Sequence, residues 1–438
     1  MRKYTRLLIA IIVFTGFVLL FIYRQKYAKF STLFEMMNFQ SKNTKSNCDT
    51  NLSKFEAMAK YNFSTEEMIT NMPYWTEIFP GVYAYSSYWI SGKTRTLIFS
   101  RDVSLSVLDK IECKLWHESD KSIAVKYTQR FLVKKRQSSL FLFLECLPFH
   151  AHKAPHSVSF RYRNMTMPFD LPVIYEDSYT RSHGLYALCV KPLQPVFKDV
   201  YRILEFIMFH SYIGVKFFIF YDAGMSLNVR RLLLNIGTKT ETYVLFLKWN
   251  LPFGLQEVFY DSDIYFIDCL HRVSAKNYAD LILKLDIDHF MVPKMDYNLT
   301  EVVKHFDNTV SVMSVEEKKF CLEFPNDVIA YNLNIPFVTL LKTRASNEGD
   351  VISHVIFDVT KVKKSLEDDE FRVWYFKKHA QKTDLLSKTL SVIHSYAKCG
   401  FNKSEIVFSV DKTMWKYKDV FYKSEIYQLA KKMSLIYD

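Results

Sequence analysis

The sequence predicts an α/β protein built on a mainly parallel sheet that carries helices on both faces. From Leu185 onward, apolar runs typical of strands alternate with segments of helical spacing. Three of these runs, Leu185–Val190, Val215–Asp222 and Tyr243–Trp249, are almost continuously apolar. Strands of this kind are buried on both faces, as they are in parallel sheets covered by helices.

Two helices are predicted between these strands. Pro195–Tyr212 has apolar residues at helical spacing, and Gly214 follows as a glycine that can close the helix. Ser226 can cap a second helix, Leu227–Ile236, which Gly237 can end. A further helix-like segment is expected around Gln256–Arg272.

The next predicted strand ends in two acidic residues that could bind a metal. Asp280–Pro293 begins with a two-residue alternation, which predicts a strand with Asp286 and Asp288 on the same side. Two neighbouring carboxylates can share one hard cation, and a divalent metal carrying a diphosphate would neutralise them. The alternative is a solvated strand end. Asp222 ends an earlier strand, so all three acids are expected at one edge of the sheet.

Several familiar nucleotide and hydrolase sites are missing from the sequence. The chain has ten glycines, and none form the G-x-G-x-x-G or P-loop spacing. It also lacks the G-x-S-x-G and H-E-x-x-H motifs. An α/β sheet with an acid pair and no glycine-rich loop can hold a nucleotide diphosphate through a metal.

The N-terminus predicts a membrane anchor. Leu7–Tyr23 is uncharged and apolar, and basic residues flank it on both sides. The alternative is a cleaved signal peptide, but no small-residue cleavage site follows. The expected organisation is therefore a cytoplasmic tail at 1–6, a transmembrane signal anchor at 7–23 and a polar stem at 24–72.

Sequons and cysteines agree with passage through the secretory route. Seven cysteines show no C-x-x-C pair, and their pairing stays open, with at least one left free or intermolecular by the odd count. The charge of +12 is scattered and no nucleic-acid-binding motif accompanies it, so no nucleic-acid partner is expected. N-glycosylation is predicted at the N-x-S/T asparagines Asn51, Asn62, Asn164, Asn298 and Asn402.

Two further regions complete the expected layout. Short β-prone runs recur from Gly81 to Phe149, which predicts a strand-rich N-terminal region at 73–172. The Lys-rich segment at 365–438 is predicted to be mostly helical and solvated.

Four blocks of the chain resemble glycosyltransferase family 92. The resemblance covers roughly 173–364, the predicted catalytic core. The blocks are Leu188–Leu193 (LCVKPL), Leu204–Tyr221 (LEFIMFHSYIGVKFFIFY), Asp268–Arg272 (DCLHR) and Lys284–Pro293 (KLDIDHFMVP).

The resemblance implies a GT-A-like fold in a single-pass type II membrane protein of the Golgi. It also implies inverting transfer of a hexose, with galactose favoured, from a UDP-sugar to a glycan or glycoprotein acceptor. Manganese or another divalent cation would assist. Asp286 and Asp288 would contact the metal, the diphosphate and the ribose, and Asp222 would lie near the donor.

One departure from the family pattern concerns the residue after the acid pair. The family typically has a third acid there, D-x-D-E, whereas this chain has His289. Histidine can bind manganese, but it does not supply a carboxylate's charge. The alternative function is therefore a catalytically impaired relative that binds glycans or acts as a scaffold.

The remaining candidates come from positions downstream. Inversion needs a general base aimed at the acceptor hydroxyl, and Glu323 and Asp358 are weak candidates. His394 resembles a histidine near the end of the family's domain and would complete the metal shell with Asp286, Asp288 and His289. The alternative for His394 is a structural role.

Overall fold

The computed structural model describes residues 74–103, 105–117, 122–126, 129–136, 139–147, 153–162, 165–166, 170–175, 186–193, 197–250, 264–294, 299, 311–367, 384–399 and 408–436. The predicted tail, signal anchor and stem lie outside these residues. So do the five sequon asparagines, Asn51, Asn62, Asn164, Asn298 and Asn402. Within the described ranges, no helix combines the length and apolar character needed to cross a membrane.

Ten strands form a first sheet in the part of the chain that was predicted to be strand-rich. They are β1 (Thr76–Phe79), β2 (Val82–Ile90), β3 (Lys93–Arg101), β4 (Ile111–Trp116), β5 (Ser122–Lys126), β6 (Gln129–Arg136), β7 (Ser139–Cys146), β8 (Ser157–Tyr162), β9 (Met165–Thr166) and β10 (Leu171–Ile174). The main order is β5-β4-β8-β10-β2-β3-β7-β6, with β1 beside β2 and β9 beside β8. Neighbours are antiparallel except β10 and β2.

The second sheet contains the predicted parallel strands, and its order is β13-β12-β11-β14-β17-β16-β19-β15. Strands β13, β12, β11 and β14 are parallel, whereas β17 joins β14 antiparallel. The α/β prediction is confirmed, with a mixed rather than a wholly parallel sheet. The strands are β11 (Tyr186–Leu193), β12 (Val215–Asp222), β13 (Tyr243–Lys248), β14 (Leu281–Leu285), β15 (His289–Pro293), β16 (Val312–Cys321), β17 (Arg344–Asp358), β18 (Asp384–Leu385), β19 (Ser391–Ala397) and β20 (Phe408–Val410).

The described helices are mostly short. The main crossover helices, α2, α3 and α4, lie in the second sheet's part of the chain. The helices are α1 (Leu105–Leu108), α2 (Val200–Tyr212), α3 (Leu227–Lys239), α4 (Ile264–Lys276), α5 (Val328–Asn332), α6 (Val338–Leu341), α7 (Val359–Glu367), α8 (Lys418–Lys423) and α9 (Glu425–Lys432), with a 3₁₀ turn at Thr413–Tyr417.

Helix α2 begins later than its apolar spacing predicted. Asp199 has extended backbone angles, and its side chain accepts a hydrogen bond of 3.0 Å from the backbone N–H of Arg202. This cap satisfies one of the free N–H groups at the helix start and fixes the boundary at Val200 rather than at Pro195. The end agrees with the sequence, since Gly214 follows with a φ of +115°.

Helix α3 is capped as predicted but ends later. The Ser226 hydroxyl accepts a hydrogen bond from Val229 N–H, and the helix continues to Lys239. Gly237 does not end it. A Cβ at that position would lie 3.4 Å from the side chain of Val244 on β13, so the glycine allows close helix–strand packing.

Three disulfides settle the pairing that the sequence left open. Cys113 and Cys146 join β4 to β7 within the first sheet. The other two bonds lie in the second sheet's part of the chain. Cys189–Cys269 joins β11 to α4, and Cys321–Cys399 joins the last residue of β16 to the segment after β19. Cys48, the seventh cysteine, lies outside the described residues.

The region predicted to be mostly helical, 365–438, also contributes strands to the second sheet. Strand β19 lies inside the second sheet, between β16 and β15, and is buried along Ser391–Tyr396. The segment SVIHSYA is short, and its strand pairing comes from long-range partners that local sequence does not reveal. The described helical segments of this region are the end of α7, the 3₁₀ turn at Thr413–Tyr417, α8 and α9.

A buried charge joins the first sheet to the second. Asp268 on α4 is fully buried and accepts hydrogen bonds from the hydroxyls of Tyr88 and Tyr221. Ser86 also donates to Asp268, at 2.5 Å, and Arg272 forms an ion pair with it at 3.2 Å. The DCLHR block therefore includes a polar cluster that ties β2 to the end of β12.

Candidate functional site

The candidate site lies at the carboxyl ends of the parallel strands. Strand β11 pairs with β12 on one side, where Leu193 lies opposite Asp222. It pairs with β14 on the other side, where Val190 lies opposite Leu285. Asp222 and the acid pair after Leu285 therefore lie at the same edge, which is where ligands bind in sheets of this kind.

Asp286 and Asp288 lie in a turn between β14 and β15, and not on a continuous strand. The backbone N–H of His289 donates to the Asp286 carbonyl at 3.0 Å, which closes the turn. Ile287 is buried at its centre. The strand does not continue because β15 pairs with β19 instead of running on beside β17. The carboxylates are 38% and 33% exposed, so a ligand can reach both.

Asp288 is paired with an arginine from the first turn of α2. The Arg202 Nε atom lies 2.5 Å from the Asp288 Oδ1 atom. Arg202 also donates from Nη2 to the carbonyl of Tyr396 at 3.0 Å, and Tyr396 N–H donates to the Asp288 carbonyl at 3.0 Å. These contacts join the acid turn to α2 and β19.

Asp286 has a cationic neighbour of its own. The Lys191 Nζ atom, near the end of β11, lies 3.6 Å from Asp286 Oδ2. The site is therefore built from two acids in one turn and two cations on adjacent elements.

The pKa of Asp288 is raised above its usual range. Burial is the largest cause, because it disfavours the charged carboxylate. The charges of Arg202 and His289 oppose this shift, and the nearby Asp286 carboxylate adds to it. Asp288 is thus an acid whose charge depends on its cationic neighbours.

Asp222, predicted to lie near the donor, forms its hydrogen bonds and its ion pair with residues that follow it closely in sequence. Its Oδ1 accepts hydrogen bonds from the N–H groups of Gly224, at 2.9 Å, and Met225, at 2.7 Å. Its Oδ2 lies 2.8 Å from Arg230 Nη2. The carboxylate is buried, so its evident role is to shape the loop that leads into α3.

Glu205 lies one helical turn after Arg202 and is buried. It accepts hydrogen bonds from the N–H groups of Val338, at 2.9 Å, and Thr339, at 2.8 Å, and from the Thr339 hydroxyl. Burial raises the pKa of Glu205 to about 7, although these hydrogen bonds and the charge of Arg202 lower it. Glu205 thus fixes α6 against α2 at the edge of the site.

The structure does not bring His394 to the acid pair. In the pairing of β15 with β19, Phe290 lies opposite His394 and His289 lies opposite Ser395. Because alternate residues leave opposite faces of a sheet, the two histidines lie on different faces. The His394 ring packs 4.6 Å from the ring of Phe320, and burial lowers its pKa to about 3.

The two weak candidates for the general base differ in position. Asp358 lies opposite Leu281, at the far end of β14 from the acid turn. Its Oδ1 accepts hydrogen bonds at the start of α7 from the Thr360 hydroxyl, at 2.6 Å, and from Lys361 N–H, at 3.1 Å. Asp358 thus lies at the opposite edge of the sheet from the acid turn, because β17 runs antiparallel to β14.

Glu323 lies at the carboxyl end of β16, on the same edge as the acid turn, with β19 between them. Its exposed carboxylate accepts hydrogen bonds of 3.0 and 3.1 Å from the backbone N–H of Cys399. The base assignment to Glu323 stays a prediction.

The acid turn has the donor set that a divalent cation needs. Magnesium-type ions bind through one or two carboxylates, water and phosphate oxygens, which Asp286 and Asp288 can supply. His289 adjoins them in sequence. Within the described ranges, no three His, Cys, Asp or Glu side chains come together as a ligand group. Two half-buried carboxylates fit the ion, while His394 does not join them.

Lys191 and Arg202 were missed as site residues in the sequence. Lys191 lies inside the first of the four blocks, but a lone lysine after a predicted strand carries little signal. Arg202 had a clearer one. A cation in the first turn of a helix meets the positive end of the helix dipole, which is unfavourable without an acidic partner.

Comparison with protein families identifies a family whose model covers most of the second sheet's part of the chain. Glycosyltransferase family 92 matches residues 185–425, which is more than half of the chain. The match includes the acid turn, Lys191 and Arg202. No curated protein matches the chain.

Solved structures offer only distant likenesses. The galactosyltransferase LgtC with donor and acceptor sugar analogues is 13% identical over 46% of this chain and 68% of its own, with a TM-score of 0.21. A putative glucose-1-phosphate thymidylyltransferase from Bacillus anthracis is 11% identical over 57% and 96%, with a TM-score of 0.25. The bifunctional glycosyltransferase WbbM is 14% identical over 47% and 36%, with a TM-score of 0.25. At these scores, none assigns a substrate or a site to this chain.

Proposed function

The chain belongs to glycosyltransferase family 92, and from this premise we propose that it transfers a hexose from a UDP-sugar to a glycan acceptor. Galactose is the favoured sugar, and transfer proceeds with inversion in a GT-A-like fold. The observation that carries the proposal is the acid turn, where Asp286 and Asp288 meet Lys191 and Arg202 at the carboxyl edge of the sheet.

The donor's diphosphate is the group that this edge suits. Lys191 and Arg202 supply positive charge to phosphate oxygens, and the guanidinium can bind two oxygens at once. Asp286 and Asp288 would hold Mn²⁺ or another divalent cation. When bound, such an ion stabilises the negative charge that develops on the departing diphosphate.

An acceptor would approach from the same edge. Helix α5 follows the carboxyl end of β16 and exposes several apolar side chains, among them Tyr331, which is 66% exposed. An exposed aromatic ring offers a flat apolar face to a sugar while its hydroxyl stays in water. Tyr331 is thus proposed to contact the glycan acceptor.

We further propose that the chain is a single-pass type II membrane protein of the Golgi or another secretory membrane, with the catalytic region in the lumen. The apolar run at 7–23 and the five sequons support this topology. The disulfides Cys113–Cys146, Cys189–Cys269 and Cys321–Cys399 suit an oxidising compartment. Protease protection in intact microsomes, combined with sensitivity to an N-glycosidase, tests it. Digestion of the catalytic region without detergent contradicts the topology.

A second function is a catalytically impaired relative that binds glycans or acts as a scaffold. It is favoured by the ion pairs that already engage both acids and by His289 in the place of a third acid.

One experiment separates the two functions. The full chain, purified in detergent, is incubated with UDP-sugars, Mn²⁺ and a panel of glycans, and transferred sugar is detected by mass spectrometry. Transfer that disappears in Asp288→Ala and persists in Asp419→Ala, a change at an exposed surface acid, supports the enzyme. Retained glycan binding without transfer by the unaltered chain supports the impaired relative.

A further inference from the structure

Arg202 occupies a position where its positive charge destabilises the helix unless other contacts offset that cost. It lies in the first turn of α2, where the helix dipole is positive and a cation is disfavoured. Its side chain reaches out of this turn to Asp288 and to the carbonyl of Tyr396. With 20% of the side chain exposed, the guanidinium lies at the border between the core and the edge.

Among the described residues, each acid of the turn already forms an ion pair with one protein cation. Asp286 and Asp288 contribute two negative charges, and Lys191 and Arg202 contribute two positive charges within 3.6 Å of them. His289 adds no negative charge at the position after the pair. A divalent cation entering alone would therefore meet a neutral site and would have to displace a protein cation from a carboxylate.

The contact between Arg202 and Asp288 is close but poorly aligned. Among the described residues, neither Arg202 Nε nor Asp288 Oδ1 has an aligned hydrogen-bond partner, although both atoms are buried and lie 2.5 Å apart. A hydrogen bond weakens steeply when its angle is poor. The pair is thus held mainly by charge, and charge is what an incoming diphosphate also offers.

We infer that Arg202 exchanges partners, from Asp288 to the donor's diphosphate, and that this exchange makes the metal and the nucleotide bind together. The inference rests on the proposed function for the identity of the ligand. A metal with its diphosphate brings charges of both signs, so the carboxylate gains the metal as the guanidinium gains phosphate oxygens. A metal alone leaves Arg202 without a new partner.

Partner exchange predicts a measurable coupling between the two ligands. If each ligand binds better in the presence of the other, the coupling factor is the same in both directions. Arg202 is then a positioning residue for the metal and a contact residue for the diphosphate. Its removal should raise the affinity for the metal alone and lower the coupling.

The test measures Mn²⁺ binding and needs no turnover. Mn²⁺ is titrated into the full chain in detergent, with and without UDP, and free Mn²⁺ is followed by electron paramagnetic resonance. The titrations are corrected for the Mn²⁺–UDP complex that forms without protein. In the unaltered chain, UDP should tighten Mn²⁺ binding by about 5- to 150-fold, the usual range for coupled sites. Asp288→Asn should abolish this binding.

In Arg202→Gln, Mn²⁺ alone should bind more tightly than in the unaltered chain, and tightening by UDP should fall below about 3-fold. Arg161→Gln is the matched control. Arg161 also contacts a carboxylate through Nε, that of Glu112 at 3.5 Å, but it lies in the first sheet. Its removal should leave both affinities unchanged.

Unchanged or weaker Mn²⁺ binding in folded Arg202→Gln overturns the inference, and so does Mn²⁺ binding that survives Asp288→Asn. If Arg202→Gln does not fold, Arg202→Met takes its place. It keeps an unbranched apolar stem but removes the charge, so an unchanged coupling in that variant also overturns the inference. Coupling without any sugar transfer would contradict the proposed function alone, whereas transfer without an Arg202 effect would contradict the exchange alone.

Discussion

The Tyr221 hydroxyl donates a hydrogen bond of 2.7 Å to Oδ2 of Asp268. This bond connects the end of strand β12 to a buried carboxylate on α4. Tyr221 directly precedes Asp222 at the edge of the candidate site. Tyr88 of the first sheet donates to the same carboxylate. This buried carboxylate is thus one of the contacts that hold the sheet with the acid turn to the first sheet.

Replacing that charge should destabilise the protein. In Asp268→Asn, the buried Arg272 would keep its charge without this carboxylate partner, and breaking such a pair costs about 3–5 kcal/mol. Equilibrium unfolding in urea measures the loss. The control Asp419→Asn breaks an exposed pair with Lys423 and should cost less than about 0.5 kcal/mol. Equal losses in both variants would contradict the role of Asp268.

The pH dependence of transfer should reflect the raised pKa of Asp288. Because burial favours the protonated carboxyl, transfer should fall on acidification before an ordinary aspartate, with a pKa near 4, would protonate. The charge of Arg202 lowers this pKa, so Arg202→Gln should move the acid limb to higher pH. The profile of kcat/KM against pH measures both effects. An acid limb that does not move in Arg202→Gln would contradict the assignment.

Glu205 should make stability fall as pH rises. Its pKa is about 7 in the folded protein and near 4 when unfolded, so its stabilising effect is complete below about pH 4 and is lost as pH rises through 7. At about 1.4 kcal/mol per pKa unit, the loss is on the order of 3 kcal/mol. The free energy of unfolding of the unaltered chain minus that of Glu205→Gln should therefore decrease from pH 5 to pH 8. Parallel curves for the two proteins would show that Glu205 does not titrate in this way.

Tyr331 should affect the acceptor and not the donor. In Tyr331→Ala, the KM for the glycan acceptor should rise about 5- to 10-fold, equivalent to about 1 kcal/mol for a lost aromatic contact, while the KM for the UDP-sugar stays unchanged. The exposed Tyr74, 48% exposed on the first sheet's side of the chain, gives a matched Tyr74→Ala control. Equal effects on both substrates would indicate a general structural change.

The disulfide Cys189–Cys269 should stabilise the sheet beneath the site. It closes a loop across a sequence separation of 80 residues, for which the chain-entropy model gives about 4.5 kcal/mol. Unfolding of the double variant Cys189→Ala, Cys269→Ala against the unaltered chain measures this loss. Peptide mapping without reductant should recover the two cysteines in one linked fragment, and a different partner for Cys189 would contradict the pairing.

Local sequence was a good guide where short-range chemistry decides the outcome. Ser226 caps α3 because a hydroxyl before a helix satisfies its free N–H groups. Gly237 was misleading, since its missing side chain serves packing against Val244 rather than helix termination. The same limit applied to β19, whose strand character depends on partners from β15 and β16.

The candidate site shows the same division. Asp286 and Asp288 could be identified as an acid pair in the sequence because they follow an apolar strand in a recognisable block. The turn that holds these acids and the cations beside them could not be identified from the sequence. Arg202 lies more than eighty positions earlier in the chain, and only the packing of α2 against β15 and β19 brings it to Asp288.

The sequence by itself determined the α/β class, the membership in glycosyltransferase family 92 and the acids at a strand end, because these follow from periodicity and from short motifs. Tertiary structure alone decided that both acids meet protein cations, that His394 lies on another face, and that Asp358 lies at the opposite edge. The physical reason is that charge pairing and strand direction depend on contacts between distant segments. The chemistry of Asp288 is therefore set by Arg202 as much as by its own motif.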